Sequence, residues 1–362
     1  MRKFETGRGD VENDGEIEHG VALKIAREIN SKSKFVQPDM NEFFRYINLG
    51  KNISRTDKTA KMIIDPKAER EQLQARMAKA AELEEKWKQT TSPFEKEVKE
   101  ISDAVEVAIL EMIEQYSCLG DNVHGSKTSK YDDFCNNTDA YGEIYDESAE
   151  FSDEDEARWD PVVVGFGFDI TTNKDKLHDK LDRNLGKIRN RQERAHLDNF
   201  ISTKKEEAKE DQDEEETPVP VLTGFMEIVP IIIALESKHA KEFILFFSQL
   251  KEAFRKNSEA NTTPELRHTK PQRSAELQAI KNKFKNHPIK RLMVNQIYMQ
   301  INGYIHELDP DNEKDSAYLE KIDKLKDVVE KAFDDCRDVP DNSDWENDLM
   351  TKRIKEKMLK AN

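Results

Sequence analysis

Cysteine is scarce. Cys118, Cys135 and Cys336 are the only three in 362 residues, with no pair at metal-ligand spacing and no set that could form a disulfide framework. That argues against a zinc ribbon and against a stapled secreted domain, and it points to a reduced, cytoplasmic chain. Long apolar runs are missing too. The longest, 219–235, is broken by Pro220, Glu227 and Pro230 and falls short of the about 20 residues that cross a bilayer, so no membrane partner is expected. The start, Met1-Arg2-Lys3-Phe4 and then acidic sequence, lacks the apolar stretch of a secretion signal. The eight histidines are scattered, with none at the spacing of a zinc protease. Gly165-x-Gly167 lacks the third glycine and the helix start of a dinucleotide loop, and reads as a bulge or a close packing point. Trp87, Trp159 and Trp345 are too dispersed to form a stacking platform.

Charge, by contrast, is abundant. Charged residues make up 36% of the chain, as many as the hydrophobic ones, and the formal net charge is −16. An acidic surface repels phosphate backbones, which weighs against nucleic-acid binding driven by charge alone. The charge is unevenly placed, however. Acidic residues crowd 143–160 and 206–216, and basic residues gather at 180–194 and 281–291. Runs of this kind are most often solvated faces.

The apolar residues cluster in 94–116, 161–171, 219–254 and 289–333, which suggests a compact centre with charged helical extensions. At roughly 150 residues per domain the length suits about two domains. The spacing predicts a thinly striped, charged helix from Asp65-Pro66 to about Lys88, and an amphipathic helix over 94–116 with Phe94, Val98, Ile101, Val105, Ile109 and Met112 on its stripe. Two strands are expected, at 141–145 and 161–171, then a charged helix over 174–201, a third strand over 218–228 and an apolar helix over 230–254. The order is helix, strand, strand, helix, strand, helix, an α/β class of the α+β kind with a small mixed sheet. The strand at 161–171 is apolar on both faces, so it should be central, paired with 139–145 and covered by the helices at 94–116 and 230–254. The divisions expected are an N-terminal arm and helix (1–92), an α/β core (93–256), a linker (257–272) and a C-terminal helical region (273–362), with helices at about 273–286, 289–307, 314–336 and 343–360. Residues 1–20, with four glycines among acids, and the acidic stretch 204–216 should be mobile.

The chemistry lies in the two central strands. Asp139 precedes the first and Asp169 ends the second. Adjacent strands can bring two such carboxylates to one sheet edge, an oxygen-rich site of the kind Mg2+ or Mn2+ prefers. Tyr131-Asp132-Asp133 and Asn137 would add oxygen donors nearby. A plainer reading of the same residues is that Asp139 caps a turn and Asp169 caps the helix that follows.

The run YDDFCNNTDAYGEIYD, then DPVVVGFGFDIT, a lysine-rich helix and TPVPVLTG, resembles a group of bacterial proteins whose core is similar to the restriction-endonuclease-like, PD-(D/E)XK, nuclease fold. The resemblance covers residues 94–255 and implies a three-layer core that cleaves DNA or RNA with Mg2+ or Mn2+. On that resemblance Asp139 matches the first acid and Asp169 the second, and Glu106 or Glu97 matches the helical glutamate that some members add to the metal. The chain departs at the third position, where Thr171 stands in place of the lysine that orients the attacking water. A threonine hydroxyl can hold a water but supplies no positive charge. Some members take that lysine from the next helix, and Lys174, Lys176 and Lys180 are placed for this, Lys176 and Lys180 on one face. The same lysines also suit an ordinary charged surface. Two functions are therefore expected from different classes. One is a metal-dependent phosphodiesterase using Asp139, Asp169 and Lys176 or Lys180. The other is an inactive nuclease-like scaffold that binds protein partners through its helical extensions.

Overall fold

The structure, a computed structural model, describes residues 18–35, 37–38, 66–145, 163–201, 223–263, 268–336 and 343–361. Helix α1 (His19–Ser31) buries Ala22, Leu23, Ala26 and Ile29 on one face. Helix α2 (Pro66–Thr90) is largely charged; it buries Leu73 and Ala80 and reaches the rest through ion pairs of Arg76 with Asp198 (3.3 Å) and Glu84 with Lys130 (3.0 Å). Helix α3 (Pro93–Tyr116) starts at a capping box. The Ser92 hydroxyl accepts the Glu95 N–H while the Glu95 carboxylate takes the Ser92 N–H, satisfying two donors that a helix start leaves open. Strand β1 (Val123–Lys127), a single π-helical turn (Asp132–Asn136), β2 (Ala140–Tyr145) and β3 (Val163–Thr171) follow. Then come α4 (Leu177–Arg189), β4 (His196–Ile201), β5 (Thr223–Ala234) and α5 (Ser237–Thr262). The chain closes with α6 (Lys270–Lys285), α7 (Pro288–His306), α8 (Glu313–Asp334), the short α9 (Ser343–Glu346) and α10 (Leu349–Ala361).

The architecture is mixed α+β around one five-stranded sheet of order β1-β2-β3-β5-β4. β1, β2 and β3 pair antiparallel, β5 runs parallel to β3, and β4 pairs antiparallel with β5. As expected, β3 is central and pairs with β2, with Val164 2% exposed. Side chains alternate across it. Val164, Phe166, Phe168 and Ile170 share a face with Ala140 and Gly142, toward α3. A Cβ on Gly125 of β1 would stand 3.0 Å from Leu110 of that helix. Gly142 is required: the Phe166 ring lies where its Cβ would be, at 2.2 Å. On the opposite face Gly165 makes room for Met226 in the same way. Helices α1 and α5 pack on α3.

The free edge of β5 is the least ordinary part. β4 stops opposite Glu227, yet β5 continues to Ala234. Beyond that point helix α7 lies along the strand, and side chains from it and one from α8 replace the missing neighbour. Gln300 accepts the Ile232 N–H (2.9 Å) and donates to its carbonyl (2.8 Å). Gln296 does the same for Ala234 (2.8 and 2.7 Å). The Tyr304 hydroxyl donates to the Pro230 carbonyl and the Tyr318 hydroxyl to the Ile228 carbonyl, each at 2.8 Å. Both glutamines are fully buried, so these backbone groups have no water to turn to.

Several expectations need correction here. The third strand is 223–234 and not 218–228, and the apolar helix begins at Ser237 and not at residue 230. Pro230 misleads because proline ordinarily leaves a strand interior. Its carbonyl, and so the side where its N–H would be, faces α7 and not β3, and the β3–β5 ladder loses nothing. Helix α5 packs on α3 and α6. The charged stretch 174–201 is a helix to Arg189 and then strand β4, because pairing with β5 overrides its helical composition. β1 (Val123–Lys127) and the π-helical turn (Asp132–Asn136) lie within 120–137, which reads in sequence as turn. Helix α5 runs to Thr262, into the expected linker. The expected mobile segments fall almost entirely outside the described residues: 1–17 and 202–222. One apolar cluster extends from Ala22 to Met358. No helix of the described residues is long and apolar enough to cross a membrane.

The glutamine ladder yields a ranking. Gln300→Ala leaves a buried N–H and C=O unpaired together and should cost about 1–3 kcal/mol for the unsatisfied groups. Tyr304→Phe removes one donor to a carbonyl and should cost about 1 kcal/mol. Urea unfolding of the two variants checks the order; equal losses would mean the amide is not replacing a strand.

Candidate functional site

The β2–β3 ladder ends at Ala140 opposite Phe168, and Asp139 carries it one step further. Its N–H donates to the Phe168 carbonyl (2.8 Å), and its Oδ2 accepts the Ile170 N–H (2.8 Å). Asp139 thus grips the two backbone groups on either side of Asp169, and the two aspartates meet at one sheet edge as their spacing predicts. Asp139 Oδ1 takes no hydrogen bond among the described residues.

Asp169 is 5% exposed. Helix α4 crosses the same edge and lays two cations on its carboxylate: the Lys180 ammonium on Oδ1 and the Arg183 guanidinium on Oδ2, the latter at 2.6 Å. Arg183 also reaches Asn137 Oδ1 (3.3 Å). One turn on, Lys187 donates to the Asn136 carbonyl (2.8 Å), and burial, then the Arg183 charge, pushes its ammonium down to about 8. Burial pushes the Asp169 carboxyl up, Lys180 pulls it back and Asp139 adds upward pressure; the net direction is up. The Thr171 hydroxyl is occupied, accepting the Asn173 N–H (3.2 Å).

Lys180 therefore stands at Asp169, supplied by the helix. Lys176 does not: it is the exposed residue preceding α4, with no contact to Asp169. Lys174 lies further out, its carbonyl taking a hydrogen bond from Arg353 (2.8 Å). Glu97 is also elsewhere, paired with His19 at 3.0 Å. Glu106 is buried on α3 and faces Lys127 of β1 at 3.2 Å. Burial holds its carboxyl well above the ordinary range, Lys127 opposes this, and the Asp139 charge raises it further. Glu106 is within electrostatic reach of Asp139, but among the described residues no three His, Cys, Asp or Glu side chains are grouped to hold a metal.

Around this pair lies a ring of charge in which Asp132 and Asp133 were expected from the sequence and Lys99 and Asp103 were not. Lys99 pairs with Asp103 at 3.1 Å and also feels Asp133 and Asp139. Asp133, in the π-helical turn, accepts from Gln37 at 3.1 Å; burial, then the Asp139 charge, pushes its carboxyl up to about 7. Its neighbour Asp132 is fully buried and accepts from the Ser129 hydroxyl, Asn136 and the Asp198 N–H, each at 2.7 Å. A π-helical turn often accompanies a functional site. The signal available in sequence was the spacing 180, 183, 187, which is one face of a helix.

Mg2+ keeps most of its waters and is held through one or two carboxylates, so a two-aspartate set is sufficient chemistry. Asp139 offers one oxygen and Asp169 offers those now held by Lys180 and Arg183. The residues fit such an ion on the condition that it takes over from a cation already there.

Asp133 gives a pH test. Its folded carboxyl lies above the unfolded one, so the folded state retains a proton that the unfolded chain has lost between about pH 4 and 7. This group therefore favours folding at low pH, and the contribution disappears as pH rises through about 7. Asp133→Asn should raise the melting temperature at about pH 8 and leave it unchanged near pH 4. Melting curves at the two pH values check this; a loss at high pH would contradict it.

No family model matches this chain, and no curated protein or solved structure matches it significantly, so the site is read from its own residues.

Proposed function

We propose that the chain is a metal-dependent phosphodiesterase of the restriction-endonuclease-like kind, with DNA or RNA as substrate and Asp139 and Asp169 as carboxylates for Mg2+ or Mn2+. One observation carries the reading. The ammonium of Lys180 lies on the Asp169 carboxylate, so the positive charge that Thr171 cannot supply arrives at that point from α4. The element order α3, β1, β2, β3, α4, β5, antiparallel through β3 and then parallel at β5, supports a nuclease-like core into which β4 is inserted. When bound, a divalent ion would lower the pKa of a water and neutralise charge on the phosphate under attack. The chain's own part is to hold Asp169 by backbone clamps from Asp139, and to place Lys180 and Arg183 where anionic oxygens would replace the carboxylate as their partner.

A specific observation favours a second reading, the inactive scaffold. Both Asp169 oxygens already hold cations and Asp139 already caps the Ile170 N–H, so the edge is satisfied without an ion.

One set of measurements separates them: melting with and without millimolar-range Mn2+, and cleavage of fluorescent single- and double-stranded oligonucleotides. The phosphodiesterase reading expects Mn2+ to raise the wild-type melting temperature by mass action, Asp169→Asn to lose that shift and Lys180→Ala to lose cleavage while keeping it. Asp139→Ala should also cost about 0.5–2 kcal/mol, since it removes a backbone cap. No Mn2+ shift and no cleavage by the wild type would leave the scaffold.

A further inference from the structure

His239 sits in the first turn of α5, and its side chain is fully buried. Its Nδ1 is 2.9 Å from Asp348 Oδ2 and its Nε2 is 3.3 Å from Asp344 Oδ2. A neutral imidazole carries one N–H, so only the charged ring can donate to a carboxylate from both nitrogens. Both carboxylates come from the C-terminal segment. Trp345, 5% exposed, lies between them in sequence and stacks on the His239 ring with centroids 4.2 Å apart and planes at 17°.

Asp348 is fully buried and does more than face His239. It accepts the Glu236 N–H at 3.1 Å, where β5 hands over to α5, and the Thr351 N–H at 2.9 Å, where α10 begins. The Thr351 hydroxyl in turn accepts from Gln296 (2.8 Å), tying the joint to the glutamine ladder. Helix α10 then packs along α7 and reaches α4, where Lys357 pairs with Asp182 and Arg353 donates to the Lys174 carbonyl.

We propose that residues 343–361 dock through a proton-dependent latch, in which a charged His239 ring is clasped between Asp348 and Asp344 and loss of its proton releases the segment. The groups facing the ring are few. Lys238, on the same helix, pairs with Asp344 at 2.6 Å and opposes the ring's charge. Glu236 at the helix start accepts the Leu349 N–H. Capping the start of α7 is His287, which accepts the Ile289 N–H at 3.2 Å and meets Trp345 edge-on. Burial, then the His239 charge, pushes His287 down to about 4, so it stays neutral in the range where the latch works. Burial alone would lower His239 as well, but Asp348 and Asp344 outweigh it and the ring is raised. The sign follows. A folded-state value above the unfolded one stabilises docking at low pH, and that contribution is lost as pH rises through the raised value. The latch is independent of any ion at Asp169, although it bears on α4, the helix that carries Lys180 and Arg183.

Hydrogen exchange of the full chain, read by mass spectrometry from about pH 5 to 8 and corrected for intrinsic rates, tests it. Peptides from 343–361 should lose protection above an onset pH, by up to about tenfold per pH unit for one linked proton, while α3 peptides hold. Asp344→Asn, at a half-exposed position that should not disturb folding, removes one carboxylate and should move the onset to lower pH. His239→Gln should give low protection with no pH dependence. Wild-type protection that is flat across the range, or an Asp344→Asn onset equal to the wild type's, overturns the latch.

Discussion

An open strand edge in a buried place is the constraint on which much of this structure depends. β5 outruns β4 by seven residues, 228–234; the Ala195 carbonyl still takes the Ile228 N–H, but the N–H and C=O groups beyond it on that side would lie unpaired against helices. Each such group carries a desolvation cost that a marginally stable fold cannot absorb repeatedly. Two carboxamides and two phenols meet it, and this fixes where α7 and α8 lie. Gln296 passes the constraint on to Thr351 and Asp348, and hence to the C-terminal segment. Each of the two outer strands shows the same device at one point. The Glu114 carboxylate takes the Gly125 N–H of β1, and the Asp132 carboxylate takes the Asp198 N–H of β4.

The excess of acid has a similar logic. Several buried carboxylates among the described residues have either a cation or several donors. Asp315 is held by Arg191 and Arg194, Glu111 by Lys251, Glu106 by Lys127 and Asp132 by three donors. Asp315 ties the stretch between α4 and β4 to the start of α8, where Arg194 also stacks on the Tyr318 ring, 4.1 Å from its centroid. These pairs are costly to form and more costly to break singly, so they specify which helix goes where more than they add stability. Asp169 differs in degree: it takes two cations from one helix, and a third, Lys187, stands nearby, donating to the Asn136 carbonyl and, among the described residues, to no carboxylate.

The strong periodicities were legible in the sequence and the short or compensated elements were not. The 94–116 helix and the 161–171 strand follow from apolar spacing alone, and the breaks at His287-Pro288 and Asp309-Pro310 separate C-terminal helices as expected, whereas the helix expected over 343–360 is two, Ser343–Glu346 and Leu349–Ala361. β1, whose sequence VHGSK holds one large apolar residue, exists because β2 pairs with it, and no local pattern encodes that. Pro230 hid the length of β5 because its compensation, Tyr304, lies 74 residues away. At the site, Asp139 and Asp169 were visible as a pair, and Lys180 was visible as one of three lysines. That Arg183 joins it, and that Lys176 does not, depends on where α4 begins, the least readable feature of a helix.

The ladder between α7 and β5 also has a built-in limit. Two strand residues span about 6.6 Å, while four helical residues rise about 6.0 Å and overshoot a full turn by about 40°. Each rung is therefore about 0.6 Å short and turned further from the strand than the one before. Two glutamines absorb the first steps, and the third position carries the longer tyrosine, which can still reach. A fourth rung would fall on residue 308, past the last helical residue, His306. There the next carbonyl is served from α8 by Tyr318 instead. A helix can stand in for a strand only as a vernier does, over the few marks where two unequal scales nearly coincide, and the length of the unpaired edge on β5 is set by that coincidence.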